Sequence, residues 1–507
     1  MKIDSPVLDW WAFAPELVLG VASIVVLLMG LARGRRARVL NVTLTLGALT
    51  AAVTIALIRF DERSLNAWAG QLDVDPLANV VRILAAGAGI AAVLFILRGG
   101  RAEDDRDGEY LSLILAAVCG MGLMGASGSL VSLFVGLELF SIALYVLCAL
   151  EAERVSSLEA GLKYLIMGGL GTAFLVYGAA LVYGGSGSFD LSEIGAADGG
   201  LLLDVGMGML VVVLAFKASA APVHWWTPDV YDGAPMSITA FMAVATKVAA
   251  LVAIIRVLVV AFPDAANIWE PLIAGIAAVS IIVGNLGALV QHHVKRMLAY
   301  SSVAFAGYLL CAVVGWEGTG VPALVYALCC YAAMTLGAFA LVHRRERQLG
   351  RPVTYGDFAG VGWGEGSLGP GHALPGIALV IIMLSLAGIP PTGGFFAKFG
   401  LFDAALGAGY EWLAFVGVLG SVISLAYYLR VPVAMYMQSP IEGQPAPLDH
   451  ARIPATIGVV LGIATLALAF APGPFLEAGC DARTSLGKQS AADLAAECGN
   501  RVSATPR

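Results

Sequence analysis

Long apolar runs alternate with short polar connections along almost the whole chain. A helix needs about 20 mainly apolar residues to cross roughly 30 Å of hydrocarbon. Fourteen runs meet that criterion, and proline or glycine interrupts the seventh and the twelfth. The predicted spans cover residues 13–32, 39–58, 76–97, 109–126, 128–150, 158–183, 201–221, 235–261, 269–290, 297–315, 321–343, 374–402, 411–437 and 453–472.

The composition supports the same conclusion. The 507 residues are 59% hydrophobic and 13% charged, against about 25% charged residues in an ordinary soluble domain. A soluble fold would leave too much apolar surface in water, so we predict an all-α polytopic membrane protein within a lipid bilayer. The net charge of −7 comes with no basic patch, which disfavours nucleic acid as a partner.

Basic residues in the connections predict the orientation. Sixteen of the 29 Lys and Arg residues lie in odd-to-even connections. Five lie on or near the other side: Lys2, Arg59 and Arg63, with Arg82 and Arg256 just inside helix ends there. Short cytoplasmic loops carry the excess of Lys and Arg, so the sixteen should face the cytoplasm or matrix and both termini the opposite compartment. The sixteen are Arg33, Arg35, Arg36, Arg38, Arg98, Arg101, Arg106, Arg154, Lys295, Arg296, Arg344, Arg345, Arg347, Arg351, Arg430 and Arg452.

Four further basic residues fall within the predicted spans, and all four are lysines: Lys163, Lys217, Lys247 and Lys398. Burial lowers the pKa of a lysine readily, whereas arginine stays charged. Lysine therefore suits a membrane protein that loads and releases protons. Lys247 lies near the middle of span eight, where the functional interpretation is favoured. Lys163 lies near the start of span six, where snorkelling to the cytoplasmic interface is the alternative.

One acidic residue, Glu138, lies near the middle of span five. A charge at the bilayer centre costs at least ~2.5 kcal/mol on insertion scales, so Glu138 should have a partner. Lys217, in span seven, is the natural candidate. A carboxylate and an ammonium group whose separation changes would act as a proton switch. A purely structural ion pair is the alternative.

Spans seven and twelve share an interrupted pattern. Small residues and proline follow an apolar helix in both, and a lysine lies close to each break, Lys217 in one and Lys398 in the other. Proline frees the carbonyl four residues earlier, and unwound backbone at membrane depth survives where it is buried in protein or lines a wet cavity. Paired interrupted helices indicate an internally repeated transporter and its ion path.

A histidine lies just beyond the first break. His224 occurs in APVHWWTPDVYDGAP, with Asp229 and Asp232 nearby. It could take up protons from the cytoplasmic side or brace the loop, and the sequence favours neither. The chain contains no GxxxxGK[ST], CxxC or HExxH pattern and no GxGxxG that follows a strand, so we predict no nucleotide, flavin, iron–sulfur or zinc site on it.

Three motifs in order carry a family resemblance: HWWTPDVYDGAP, VKRMLAYSSVAFAGY and LAGIPPTGGFFAKFGLF. With them the chain resembles the subunit N family of proton-pumping NADH–quinone oxidoreductase (respiratory complex I), which belongs with the Mrp-type antiporter subunits. The resemblance spans helices four to thirteen. It implies fourteen helices with two inverted five-helix repeats, spans four to eight and nine to thirteen. The implied units are residues 1–108, 109–261, 269–437 and 453–507.

The resemblance also implies roles for residues of this chain. Glu138 matches the glutamate of span five and Lys217 its partner, while Lys163, Lys247 and Lys398 match the lysines of spans six, eight and twelve. Protons would move through them, driven by quinone reduction elsewhere. FMN, iron–sulfur clusters and quinone would belong to other subunits, and K-type and M-type subunits would be neighbours in a bacterial inner membrane.

The chain departs from the family pattern at Phe305, where many relatives carry histidine, so a relay step there is in doubt. Tyr300, Ser301, Ser302 and bound water could substitute.

Three other functions remain as alternatives: an Mrp-type Na⁺/H⁺ antiporter subunit, a membrane-bound hydrogenase subunit and a structural scaffold. In the C-terminal segment, Cys480 and Cys498 could form a disulfide in an oxidising compartment or stay free.

Overall fold

The computed structural model describes residues 9–32, 34–60, 65–96, 107–362, 373–439 and 452–486, and these residues are overwhelmingly helical. Their α-helices are α1 Ala14–Gly30, α2 Arg35–Ile58, α3 Pro76–Ile96, α4 Asp107–Gly125, α5 Leu130–Cys148, α6 Val155–Ser186, α7 Leu191–Ile194, α8 Leu201–Lys217, α9 Trp226–Gly233, α10 Met236–Arg256, α11 Ala266–Leu289, α12 Val294–Val314, α13 Val321–Leu349, α14 Ala373–Ala387, α15 Gly393–Gly407, α16 Glu411–Tyr428, α17 Arg430–Met437, α18 Arg452–Phe470 and α19 Gly473–Leu486. A short hairpin pairs β1 Leu65–Ala67 with β2 Leu72–Val74.

Eleven helical segments within the described ranges are long and apolar enough to cross a membrane, and shorter apolar helices accompany them. The prediction of an all-α polytopic membrane protein is therefore confirmed. The exact number of fourteen spans, their pairing into inverted repeats and the four unit boundaries stay predictions.

Burial separates central helices from peripheral ones. Every residue of α10 is buried, and α12 and α13 are nearly as enclosed. In contrast, α6 and α18 expose rows of leucine, isoleucine and valine side chains. Exposed apolar faces of this extent are suited to hydrocarbon rather than to water. Polar groups buried on α10, α12 and α13 therefore lie farther from lipid than those on the peripheral helices.

Close backbone contacts hold neighbouring helices together. A Cβ atom at Gly120 of α4 would lie 2.6 Å from the backbone nitrogen of Phe140 in α5, and a Cβ atom at Gly136 would lie 2.6 Å from the nitrogen of Met124. No side chain fits at either position. Small residues at such crossings let membrane helices pack directly backbone against backbone.

The first predicted broken span differs from its predicted limits of 201–221. Helix α8 ends at Lys217, because Ser219 takes a positive φ of 64° and Pro222 provides no N–H group. The chain resumes helical structure only in α9, so Lys217 is the last residue before the break.

The second predicted broken span, residues 374–402, consists of α14 and α15. Gly388, with φ of 87°, and the pair Pro390–Pro391 separate the two helices. Here the lysine follows the break, since Lys398 lies in α15. The two lysines therefore occupy opposite sides of their breaks, in agreement with their order relative to the prolines in the sequence.

The sequence assigned two arginines, Arg82 and Arg256, to helix ends on the outer side, but both are buried. Nε of Arg82 lies 2.7 Å from a carboxylate oxygen of Glu16. Nη2 of Arg256 lies 2.7 Å from a carboxylate oxygen of Asp75. Buried basic residues are thus not lysines alone, and each of these two arginines has a carboxylate partner.

The cysteines of the apolar runs are small residues packed among the helices. Cys119, Cys148, Cys311, Cys329 and Cys330 are free, and all except the half-buried Cys329 are buried. Cys498 lies outside the described residues, so its pairing with Cys480 stays a prediction.

Candidate proton-translocation site

Lys247 occupies the middle of the fully buried helix α10. Its Nζ donates to the backbone carbonyl of Ser302 at 2.5 Å and lies 5.5 Å from the centre of the Tyr331 ring. The hydroxyls of Ser302 and Tyr331 are 2.9 Å apart. A cation over an aromatic face gains part of the stabilisation that water would otherwise provide. The sequence placed Lys247 correctly at the centre of its helix.

Lys217 points toward α5 from the last turn of α8. Its Nζ donates to the hydroxyl of Ser141 at 2.7 Å, and that hydroxyl donates to the carbonyl of Leu137 at 2.5 Å. Four aromatic rings surround the ammonium group at 5.5–5.7 Å. They belong to Phe140, Tyr145, Tyr164 and Phe216.

Glu138 does not form the predicted ion pair with Lys217; the two side chains, both described, lie beyond ion-pairing distance. Glu138 is half-buried and accepts a hydrogen bond of 2.5 Å from the Thr172 hydroxyl of α6. One helical turn separates Glu138 from Ser141, so Ser141 takes the place of the carboxylate as the partner of Lys217. The two side chains bind different partners here, and their action as a switch stays a prediction.

Lys398 binds the end of the first half of its broken helix. Its Nζ donates to the carbonyl of Ala387 at 3.0 Å and to the hydroxyl of Ser421 at 3.0 Å. Ala387 lies four residues before Pro391, and proline has no N–H for that carbonyl. The lysine thus satisfies a backbone group that the proline leaves free, at the helix end where a cation is favoured. The ring of Tyr308 lies 4.9 Å from the ammonium group.

Lys163 differs from the other three lysines. Its side chain is 42% exposed and pairs with Glu159 at 2.7 Å and with Asp229 at 2.9 Å. It lines an open cavity of about 550 Å³, rich in charged groups of both signs, together with Arg154, Asp232, Lys295, Arg296 and Glu346, among others. The structure places Lys163 at the rim of the protein on the side predicted to be cytoplasmic, and it does not bring Lys163 into contact with Lys217.

His224 lies in the connection between α8 and α9. It is half-buried, and its Nδ1 atom is buried without a protein partner. The structure does not bring His224 into the contacts of the buried lysines described above. Proton uptake through it stays a prediction.

Phe305 lies between the surroundings of Lys247 and those of Lys398. Ser302, Phe305 and Tyr308 follow at intervals of three on α12, so they share one face. Phe305 stacks on Tyr331 at 4.5 Å between ring centres and meets Tyr308 edge-on at 6.0 Å. A side chain without ionisable groups therefore separates the aromatic partners of the two lysines.

Three buried polar side chains on and beside this part of α12 form hydrogen bonds with one another. Nδ2 of Asn285 donates to the Tyr308 hydroxyl at 3.0 Å, and the Tyr427 hydroxyl donates to Oδ1 of Asn285 at 3.0 Å. Sequence reasoning missed Asn285, Tyr427 and Ser141. The spacing of residues 302, 305 and 308 in the sequence predicts that they share a face of α12. The sequence contains no comparable signal for contacts between neutral polar residues on distant helices.

Comparisons with known proteins show the family to which the chain belongs. A family model described as "NADH:quinone oxidoreductase/Mrp antiporter, TM" matches residues 127–424. NADH-quinone oxidoreductase subunit N from Chloroflexus aggregans is 38% identical over 485 residues, which is 93% of this chain and 97% of the relative. The protein of the same name from Trichlorobacter lovleyi is 38% identical over 84% of this chain and 87% of the relative. The chain belongs to the NADH-quinone oxidoreductase subunit N family.

Chains of two solved structures align with this chain over nearly its whole length. A chain of respiratory complex I from Thermus thermophilus with bound aureothin aligns with a TM-score of 0.77 and 34% identity, covering 91% of this chain and 98% of that chain. A chain of the Mrp complex from a Dietzia species aligns with a TM-score of 0.80 at 22% identity, covering 97% and 98%. The second likeness concerns the fold alone.

The two subunit N relatives each share 38% identity with this chain, over 93% and 84% of its length. Within the described residues, no group of three or more His, Cys, Asp or Glu side chains could hold a metal ion.

Proposed function

We propose that this chain is subunit N in the membrane arm of a bacterial NADH–quinone oxidoreductase and translocates protons across the inner membrane, driven by quinone reduction in other subunits. The observation that carries the proposal is the burial of Lys217, Lys247 and Lys398 with neutral hydrogen-bond acceptors. No carboxylate lies within ion-pairing distance of any of the three among the described residues. Lysines in such surroundings can change protonation state, which arginines cannot.

The proposed path begins at the charged cavity beside Lys163, where Asp229 lies between Lys163 and Arg296 at 2.9 Å and 3.0 Å. Protons then load Lys217 or Lys247, pass toward Lys398 and leave on the outer side. The Ser141 hydroxyl holds Lys217 while Glu138 is turned to Thr172, and movement of Lys217 toward Glu138 would reset the switch.

The surroundings of the chain are part of the proposal. K-type and M-type membrane subunits are its expected neighbours, and FMN, iron–sulfur clusters and quinone are expected in other subunits.

Both termini face the periplasm in this scheme. Labelling of single cysteines introduced in the connections, by a membrane-impermeant reagent in intact cells, tests the orientation. Labelling of the α12–α13 connection but not of the α13–α14 connection is expected.

The decisive experiment replaces Lys247 with methionine, which keeps the apolar length of the side chain and removes the ammonium group. In membranes holding the whole complex, we expect quinone-linked NADH oxidation and proton pumping to fall together, while NADH oxidation by ferricyanide is unchanged. Lys488→Met in the C-terminal segment is the control. Wild-type pumping stoichiometry and rate in an assembled Lys247→Met complex would overturn the proposal.

A further inference from the structure

Buried hydroxyl groups without a protein partner are concentrated around the first helix break. The Tyr164, Ser219, Thr227 and Tyr231 hydroxyls are all buried, and none makes a hydrogen bond within the protein. A buried polar group left unpaired costs about 1–3 kcal/mol. Native proteins usually satisfy such groups with ordered water. The cluster is therefore suited to hold water inside the protein.

This cluster adjoins both lysines of the first half. The ring of Tyr164 lies 5.6 Å from Nζ of Lys217 and stacks on Trp226 at 4.6 Å. Ser219 follows Lys217 by two residues. On the other side lies Ser302, whose carbonyl accepts the hydrogen bond from Lys247.

Tyr231 lies between Ser219, on the Lys217 side, and Ser302, on the Lys247 side. Its hydroxyl lies close to the hydroxyls of both Ser219 and Ser302, without a hydrogen bond of normal geometry to either. Its ring packs edge-on against Trp226 at 6.1 Å. Its backbone carbonyl accepts a hydrogen bond of 2.9 Å from the Thr239 hydroxyl. The ring and backbone are therefore fixed, while the O–H bond is free to rotate.

The segment between Lys247 and Lys398 is built differently. There the Asn285, Tyr308 and Tyr427 side chains satisfy one another, and Phe305 separates the aromatic rings. The hydroxyls of Tyr308 and Tyr427 both have partners, so a missing partner is not a general property of buried tyrosines.

We propose that Tyr231 relays protons between Lys217 and Lys247 through water bound by the unpaired hydroxyls. The Tyr231 oxygen accepts a proton from the Lys217 side as its own O–H proton passes to the Lys247 side. The phenol is neutral before and after the step, and rotation of the hydroxyl restores the starting orientation. This inference rests on the proposed function of the buried lysines.

The test uses Tyr231→Phe in the intact complex in native membranes. Phenylalanine keeps the ring and its contact with Trp226 but removes the hydroxyl. We expect quinone-linked NADH oxidation and pumping to fall at least about tenfold, since a positioned proton-transfer group typically accelerates its step by about 10²–10⁴-fold. The solvent deuterium isotope effect on the remaining rate should rise, which a packing defect would not cause.

A matched control is Tyr326→Phe. Tyr326 is also buried, but its hydroxyl has a partner, the carbonyl of Leu468 at 2.9 Å. We expect the control to keep the wild-type rate and isotope effect. Ser219→Ala provides a second variant if Tyr231→Phe fails to assemble, and a raised isotope effect is expected there too.

Two results would overturn the relay. If Tyr231→Phe and Ser219→Ala both keep the wild-type rate and isotope effect while Lys247→Met blocks pumping, the relay is wrong and the proposed function stands. If Lys247→Met also pumps normally, the proposed function fails, and the relay fails with it.

Discussion

At the scale of single residues, the partners of the buried lysines distinguish their roles. Lys398 binds a carbonyl that proline leaves free, Lys247 binds a carbonyl in the middle of α12, and Lys217 binds a side-chain hydroxyl. A backbone carbonyl moves only with its helix, whereas a hydroxyl can rotate. Lys217 is therefore the lysine whose surroundings can change with the least movement of the backbone.

Ser141→Ala tests that difference. The substitution removes the acceptor of Lys217, and a hydrogen bond to a charged group contributes about 1.5–3 kcal/mol. Without it, Lys217 is free to approach Glu138, so we expect the switch to stay in its paired form and quinone-linked NADH oxidation to fall several-fold.

The rate of quinone-linked oxidation, set against oxidation by ferricyanide, measures the Ser141→Ala effect. Ser23→Ala is the control, because Ser23 is buried and bonded to Ser112 in the N-terminal helices. Equal rates in the two variants would contradict the assignment of Ser141.

Phe305→His tests the separation of the two halves. An imidazole at this position would lie between Tyr331 and Tyr308 and could carry a proton. If transfer past Phe305 limits turnover, the histidine variant should pump at or above the wild-type rate. Phe305→Leu, which remains apolar and loses the ring contacts, should not exceed it. Proton uptake per NADH oxidised in inverted vesicles measures both, and a block by histidine would contradict the prediction.

Hydropathy made the lysines predictable but not their partners. A lysine within an apolar run is conspicuous, because its burial costs free energy that must be compensated. Ser141, Asn285 and Tyr427 are ordinary residues of membrane helices, and their contacts depend on how distant helices pack. Glu138 and Lys217 were paired by charge alone, and that reasoning could not reveal that a serine one turn away makes the contact.

At the scale of helices, the breaks were predictable from proline and glycine, but the residue at which α8 ends was not. Lys217 ends α8, whereas Lys398 lies in the second helix of its pair. The end of α8 depends on the positive φ of Ser219, and serine gives no sequence signal for that conformation.

Pro391→Ala tests the second break. Alanine would supply an N–H group for the Ala387 carbonyl, which now accepts the hydrogen bond from Lys398. We expect α14 to lengthen, Lys398 to lose this partner and pumping to fall, with assembly intact. Pro271→Ala is the control, because Pro271 lies inside the continuous helix α11. Proton pumping relative to the amount of assembled complex measures the difference, and equal pumping in both variants would contradict the prediction.

At the scale of the whole molecule, composition and hydropathy were enough to predict the fold class. They missed the buried ion pairs that join distant parts of the chain, because counting basic residues by side assigns arginines near helix ends to a surface. Asp75 is the clearest case. It accepts hydrogen bonds from Arg256 of α10 at 2.7 Å and from Ser485 of α19 at 3.0 Å.

Asp75→Asn should therefore destabilise the whole chain rather than slow a proton step. The buried Arg256 would lose its nearest carboxylate, with Asp73 farther away at 3.7 Å, and breaking a buried pair costs about 3–5 kcal/mol. We expect a lower melting temperature of the purified complex and less assembled complex in membranes. Asp107→Asn, which affects a half-exposed pair with Arg38, should cost about 1 kcal/mol or less. If turnover per assembled complex falls in Asp75→Asn while stability is unchanged, the ion pair belongs to the proton path and its structural role is wrong.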